Sequence, residues 1–318
     1  MAEQSVEPEL IEQLRKLQEK YAAMGQDISS YLDGLLYSDY LTYWDYIHLD
    51  TLLSLQTPKT QFKDENVFII YHQITELYFR LILNELHQIA DKTDINEDFF
   101  LDRITRITRY FQNLENSFDI MVHGMEKEQF LKFRMALLPA SGFQSAQYRL
   151  IEIGSTEMIN LVNIAERDQL RDADIAAKVD KLYWKSGATE LATGKKTLTL
   201  QQFEEKYMND FHEAGVKFRD TNLHQIFNRH FTNSPRREEI VQKLREYDMM
   251  ANVLWRLAHL KSSGQYLSRT PDNIPATGGT NWQKYLPPRF QRIMFFPELW
   301  SEPEKAEWGK AAVVKALS

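Results

Sequence analysis

The chain has 318 residues, 43% of them hydrophobic and 26% charged, proportions ordinary for a folded protein that exclude wholesale disorder and fibrous repeats. Thirty-eight basic against 45 acidic side chains leave a net charge of −7, the wrong sign for a general nucleic-acid or anionic-membrane binder. Cysteine is absent, which excludes disulfides, iron–sulfur clusters, thiolate-ligated haem and cysteine nucleophiles, so any metal must be held by histidine or oxygen.

Glycine (12) and proline (10) are too scarce for a many-stranded β architecture, and long helices are the expectation. The acidic start, MAEQSVEPELIEQL, lacks the cationic and apolar regions of a signal peptide. No apolar run approaches the roughly 18 residues of a membrane span, so a soluble, cytoplasmic protein is expected.

With Ser5 as N-cap, Leu10, Leu14, Leu17 and Tyr21 recur at helical spacing and predict a first helix ending near Met24 and Gly25. Residues 39–55 crowd Tyr40, Tyr43, Trp44 and Tyr46 ahead of a short apolar run. Such a density suits a wall or an interface, although core packing is the commoner explanation. Pro58 and a polar stretch then break the chain before a helix over 66–90, with Val67, Ile70, Ile74, Leu77, Leu81 and Ile82 as its apolar stripe.

A core helix over 98–122 follows, carried by Phe99, Ile104, Ile107, Phe111, Leu114, Phe118 and Met121. Further helices are predicted over 127–138, 143–164, 200–218 and 237–260. Residues 166–194 and 268–279 read as excursions rather than domain boundaries. Without a long linker or an internal repeat, residues 1–318 are expected to form a single all-α domain of about ten helices.

Glycine-rich dinucleotide and phosphate loops, HExxH, GxSxG and EF-hand loops are absent from the sequence. Three constellations remain. Phe68 and His72 share a helical face, a ring and an imidazole one turn apart, where the plain alternative is a satisfied core histidine. Phe130 and Arg134 also share a face, and a guanidinium beside an aromatic wall is a receptor for the carboxylate of an aromatic acid, unless it is an exposed helical arginine. Trp255 and His259 stand one turn apart. Without cysteine, a haem iron is most often held by an imidazole, and a neighbouring aromatic would shield the macrocycle, although a lone interior histidine is more frequent.

Thr277 lies in Ala276-Thr277-Gly278-Gly279-Thr280, which could close over a small polar group or simply need glycine for its backbone angles. His224 and His230 match no metal-ligand spacing and read as surface residues. The arginine-rich run from Arg229 to Arg237 reads as a solvated helix entry.

Together and in this order the segments resemble the tryptophan 2,3-dioxygenase family, all-helical haem enzymes that open the indole ring. The blocks are Tyr43-Trp44-Asp45-Tyr46 before Leu49-Asp50 and Leu53, Phe68 to Gln73 with Glu76-Leu77, and Phe133-Arg134 with Pro139 to Ser145 and Gln147-Tyr148-Arg149. Trp255-Arg256 with His259 and Thr277-Gly278-Gly279 complete the set, which spans roughly residues 40–290.

The resemblance implies haem b, ferrous in the active state, with His259 as its axial ligand and Trp255 and Ser141 at the haem. His72 would be the catalytic residue on the indole nitrogen side. Phe68 and Phe130 would flank the indole, Arg134 would pair with the substrate carboxylate, and Thr277 would close over its ammonium and carboxylate. Tyr43 and Tyr46, within an N-terminal segment 1–60, would reach the site of a neighbouring subunit in a homotetramer. The implied reaction is L-tryptophan plus O2 to N-formyl-L-kynurenine, in the kynurenine route of tryptophan catabolism, without nucleic acid or membrane.

Phe130 stands where some bacterial relatives carry tyrosine, Trp44 where glycine is common, and the interval from His259 to Thr277 is long, which marks a divergent bacterial-type branch. The alternatives are a haem oxygenase of the same fold acting on a modified tryptophan or another indole, and a cofactor-free helical binding scaffold.

Overall fold

The structure is a computed structural model that describes residues 7–37, 42–137, 144–188, 195–267 and 292–310. Among them every regular element is helical, apart from one isolated bridge between Val162 and Leu182. The chain divides into two compact units, 1–55 and 56–318.

The first unit holds α1 (Pro8–Ala23), α2 (Ile28–Tyr37), α3 (Tyr43–Tyr46) and α4 (Leu49–Leu53). α1 begins with Glu7 as N-cap and Pro8 in its first turn rather than at Ser5, because proline's fixed φ and missing N–H suit that position. It stops where Gly25 turns to φ 67°, as the sequence predicts. Residues 42–55 do not form one helix. His48 adopts φ 50°, ending the turn of α3 before α4 starts, while the Thr42 hydroxyl accepts from the Asp45 amide to cap α3.

The second unit is organised on α5 (Asp64–Ala90) and α6 (Glu97–His123), within two residues of the predicted bounds. Asn96 caps α6 by accepting from the Phe99 amide at 2.9 Å. From Ile104 to Met121 the stripe predicted for α6 is its buried face, while at its start Phe100 and Leu101 are buried in place of the predicted Phe99, which is half-buried. On α5 the expectation is corrected: the core side is Tyr71, Phe79, Ile82, Leu83, Leu86 and Ile89. Ile70, Ile74, Leu77 and Leu81 lie on the other side of the helix and remain 36 to 53% exposed. Arg103 of α6 donates to the buried Glu85 of α5 at 2.8 Å.

α7 (Lys127–Phe133) tightens into a 3-10 turn, Arg134–Leu137. The helix predicted over 143–164 is two, α8 (Ala146–Ser155) and α9 (Met158–Leu161), interrupted at Thr156, whose hydroxyl donates to the Phe295 carbonyl. α10 (Arg167–Leu170), α11 (Ile175–Asp180) and a 3-10 turn (Tyr183–Ala188) follow. These residues were expected to be an excursion, yet Val179, Leu182, Tyr183 and Trp184 are buried in the main core.

α12 (Leu198–Lys217) and α13 (Leu223–Ile226) lead into a π-helical turn, Phe227–Phe231. α14 (Arg237–Met249), a second π-helical turn (Met250–Leu254) and α15 (Trp255–Leu267) then run on without a break. After a short 3-10 turn (Pro297–Leu299), α16 (Glu302–Ala306) closes the described chain.

Candidate active site

The first half of the site is set by α5. Phe68 and His72 stand four residues apart, and their rings lie 4.1 Å apart. His72 Nδ1 is 2.7 Å from the Phe68 carbonyl, which can only accept, so Nδ1 carries the proton and Nε2 bears the lone pair. His72 is exposed at the surface of the described residues, while the protein around its base partly desolvates the ring. That desolvation holds its pKa below the ordinary histidine value despite the Phe68 carbonyl and the Glu76 carboxylate, and the ring is neutral near pH 7.

Glu76, one turn further on, accepts from Gln147 Nε2 at 2.8 Å and ties α8 to this part of α5. Phe68 also meets Phe130 and Phe133 of α7, at 6.1 and 5.8 Å between centroids. Arg134, at the end of α7 and one turn after Phe130, is only 5% exposed, and burial pulls its pKa down from the ordinary guanidinium value.

The second half comes from α6 and α15. His259 lies stacked against Phe118 at 5.8 Å with an angle of 21° between the rings, and Trp255, one turn earlier, is 6.1 Å away. Its ring nitrogens have no hydrogen-bond partner among the described residues. Burial, reinforced by His72, brings the His259 pKa down to about 4. An imidazole that is uncharged at neutral pH keeps a lone pair to offer.

The two halves meet through rings. Tyr71 stands edge-on to His72 at 5.6 Å and touches Phe118 at 5.7 Å, so the aromatic pair carries the wall from one histidine to the other. Tyr266, seven residues after His259, closes the α7 side by packing on Phe130 at 4.6 Å and donating to the Met125 carbonyl at 3.3 Å.

Of the residues singled out from sequence, Phe68, His72, Phe130, Trp255 and His259 thus belong to one connected aromatic wall, with Arg134 at its edge. Tyr43 and Tyr46 lie in the first unit and are both 71% exposed. Ser141 and Thr277 lie outside the described residues. Tyr71, Phe118 and Tyr266 were not singled out as site residues. Phe118 has the spacing of a core residue, which it also is, and nothing local separates a phenylalanine that packs from one that also stacks on a histidine. Tyr266 had a usable signal, since seven residues is two helical turns and returns it to the face of His259.

His224 corrects the surface assignment. It is buried, with Nε2 2.6 Å from Glu298 and 3.2 Å from the Asn228 amide, whereas His230 is exposed as expected. A cleft of about 410 Å³ beside α9, α11 and α12 shares no residue with the aromatic wall.

Two imidazoles, a buried guanidinium and a wall of rings thus lie together between these helices. No helix among the described residues is long and apolar enough to cross a membrane. The described fold is all-α, and comparison with known proteins places it in a class of enzymes. The sequence profile of tryptophan 2,3-dioxygenase matches residues 34–273. The tryptophan 2,3-dioxygenase of Ruegeria pomeroyi is 30% identical over 270 residues, 83% of this chain and 92% of the relative. Those of Bradyrhizobium diazoefficiens and Bacillus thuringiensis subsp. konkukian are 29% and 28% identical, again over 83% of this chain and 92% of each relative. The chain belongs to the tryptophan 2,3-dioxygenase family.

Proposed function

We propose that the protein is a haem-dependent tryptophan 2,3-dioxygenase that converts L-tryptophan and O2 to N-formyl-L-kynurenine. The C2–C3 bond of the indole breaks and both oxygen atoms enter the product. The observation that carries this reading is His259: an imidazole uncharged at neutral pH, without a partner among the described residues, set between Phe118 and Trp255. That environment fits a haem b, because a neutral imidazole is an axial ligand and flat apolar rings suit a porphyrin face. When bound, haem supplies an iron centre that activates dioxygen toward a closed-shell indole.

The chain's own residues bind and orient. Arg134 pairs with the substrate carboxylate through its two-donor fork, while Phe68 and Phe130 hold the indole ring, and fixing both ends of the amino acid removes several kcal/mol of orientational cost. His72 accepts from the indole N–H at Nε2, the atom its Phe68 hydrogen bond leaves free. By the family resemblance Trp255 and Ser141 would adjoin the haem, and Thr277 would contact the ammonium and carboxylate groups, Ser141 and Thr277 lying outside the described residues.

Tyr43 and Tyr46 complete the pocket of a neighbouring subunit in a cytoplasmic homotetramer. Their exposure supports that role, as does the apolar face of α5 formed by Ile70, Ile74, Leu77 and Leu81, which a second copy would cover.

The test is an absorption spectrum of the purified protein with hemin, followed by product analysis with tryptophan and a panel of indoles. A strong Soret band and N-formyl-L-kynurenine are expected. A colourless protein that refuses hemin overturns the haem reading, and turnover of other indoles without tryptophan overturns the substrate.

A further inference from the structure

One turn before His259 lies a buried ionic cluster with no part in binding substrate. Arg256 Nη2 donates to Tyr183 Oη at 2.9 Å, to Asn252 Oδ1 at 3.0 Å and to Glu152 Oε1 at 3.2 Å, and also reaches Tyr148 Oη at 3.3 Å. Arg149 Nη1 holds the second Glu152 oxygen at 2.7 Å and Tyr183 Oη at 3.0 Å. All six side chains are buried. Burial works against the Arg256 charge, and Tyr148, Tyr183 and Glu152 more than reverse it.

A buried Arg–Glu–Arg triad is poor value as a source of stability, because desolvation consumes most of the attraction; its better-attested use is to specify register. Here there is a register to specify. The π-helical turn Met250–Leu254 lies directly upstream, and a turn widened by one residue, if it slid out, would rotate everything after it by about 100°.

Asn252 spans that turn. Its Nδ2 donates to Asp248 Oδ1 at 2.8 Å, four residues back, while its Oδ1 accepts from Arg256, four residues ahead. Asp248 is itself held by the Phe295 amide at 3.0 Å, the Phe296 amide at 3.2 Å and the Trp300 indole N–H at 3.0 Å. Both ends of the ladder are thereby anchored to other parts of the molecule. Tyr148, against which Arg256 is set, lies 4.9 Å from the Trp255 ring.

We propose that Arg256 is a positioning residue: clamped by Glu152, Tyr148, Tyr183 and Asn252, it holds the helix beyond the π turn in the rotation that aims His259 at its iron. The inference rests on His259 as axial ligand and concerns what aims it.

The test is resonance Raman spectroscopy of the ferrous holoprotein, read at the iron–histidine stretch, with kcat, KM and Tm measured alongside. Arg256→Lys keeps the charge and loses the fork, and Tyr183→Phe removes one hydroxyl. Arg256→Lys should shift or split the band and lower kcat about tenfold with KM for tryptophan unchanged, as expected for a partner outside the ligand itself. Tyr183→Phe should move the band less and in the same direction.

A wild-type band and wild-type kcat in Arg256→Lys overturn the proposal, whatever happens to Tm, because a merely structural role would lower Tm alone. If Arg256→Lys does not fold, an unmoved band in Tyr183→Phe overturns it. Absence of any iron–histidine band in the wild-type holoprotein sinks the functional reading with it, whereas an unmoved band in the variants sinks this inference only.

Discussion

The two histidines of the pocket are aimed in opposite ways. His72 is held by its own helix, through a 2.7 Å bond from Nδ1 to the carbonyl one turn back, so the sequence from Phe68 to His72 suffices to orient it. His259 has no such bond among the described residues. Its ring is oriented by Phe118 from α6, by Trp255, and through Arg256 by a cluster rooted in α8 and the 183–188 turn. The same residue type therefore sits on a locally determined side, the one proposed to serve substrate, and on a side determined by distant contacts, the one proposed to serve the iron.

That contrast predicts different losses. His259→Ala should abolish haem retention outright, read as loss of the Soret band after gel filtration, and wild-type-like hemin binding would remove the ligand assignment. Arg134→Ala should lower kcat/KM for tryptophan about 100-fold, the worth of a charged hydrogen-bonded pair, with haem binding intact and little change for an indole lacking the carboxylate. Equal losses with both substrates would break the division of labour.

Phe118→Leu should cost about 1 kcal/mol of stability and speed haem loss, since it leaves space beside His259. Phe68→Leu should instead raise KM and leave haem retention alone. If the two substitutions behave alike, the sides are not separable.

The smallest effect belongs to Asp248, at the base of the His259 side. Burial raises its pKa to about 6 from 3.8 although four donors favour its charged form. The folded state therefore holds this proton more tightly than the unfolded chain, so its contribution to stability is greatest below pH 4 and is lost as pH rises to about 6. Relative to Asp248→Asn, the urea midpoint of the wild type should fall between pH 4 and 6 and level off above. A difference that does not vary with pH would show that Asp248 does not titrate in that window.

Much of the fold was legible because helical amphipathicity is periodic. α6 appears at almost its full length from its stripe alone. α5 shows the limit of that signal: Ile70, Ile74, Leu77 and Leu81 keep helical period as well as the true core face does, because periodicity marks an apolar face without saying which partner covers it. Residues 166–194 read as a polar excursion, yet Tyr183 and Trp184 within them lie in the core. His224 is buried because Glu298, 74 positions later, meets it, a pairing no local window contains.

What the sequence alone determined was the all-α class, the absence of thiol chemistry, and the pairs Phe68–His72, Phe130–Arg134 and Trp255–His259, each a consequence of 3.6 residues per turn. Tertiary structure decided which apolar face of α5 is core, that both pocket imidazoles are uncharged at neutral pH, and that a π turn precedes His259. The physical reason is range: helical spacing is written within a few residues, whereas desolvation and the anchoring of a buried guanidinium depend on side chains a hundred positions away.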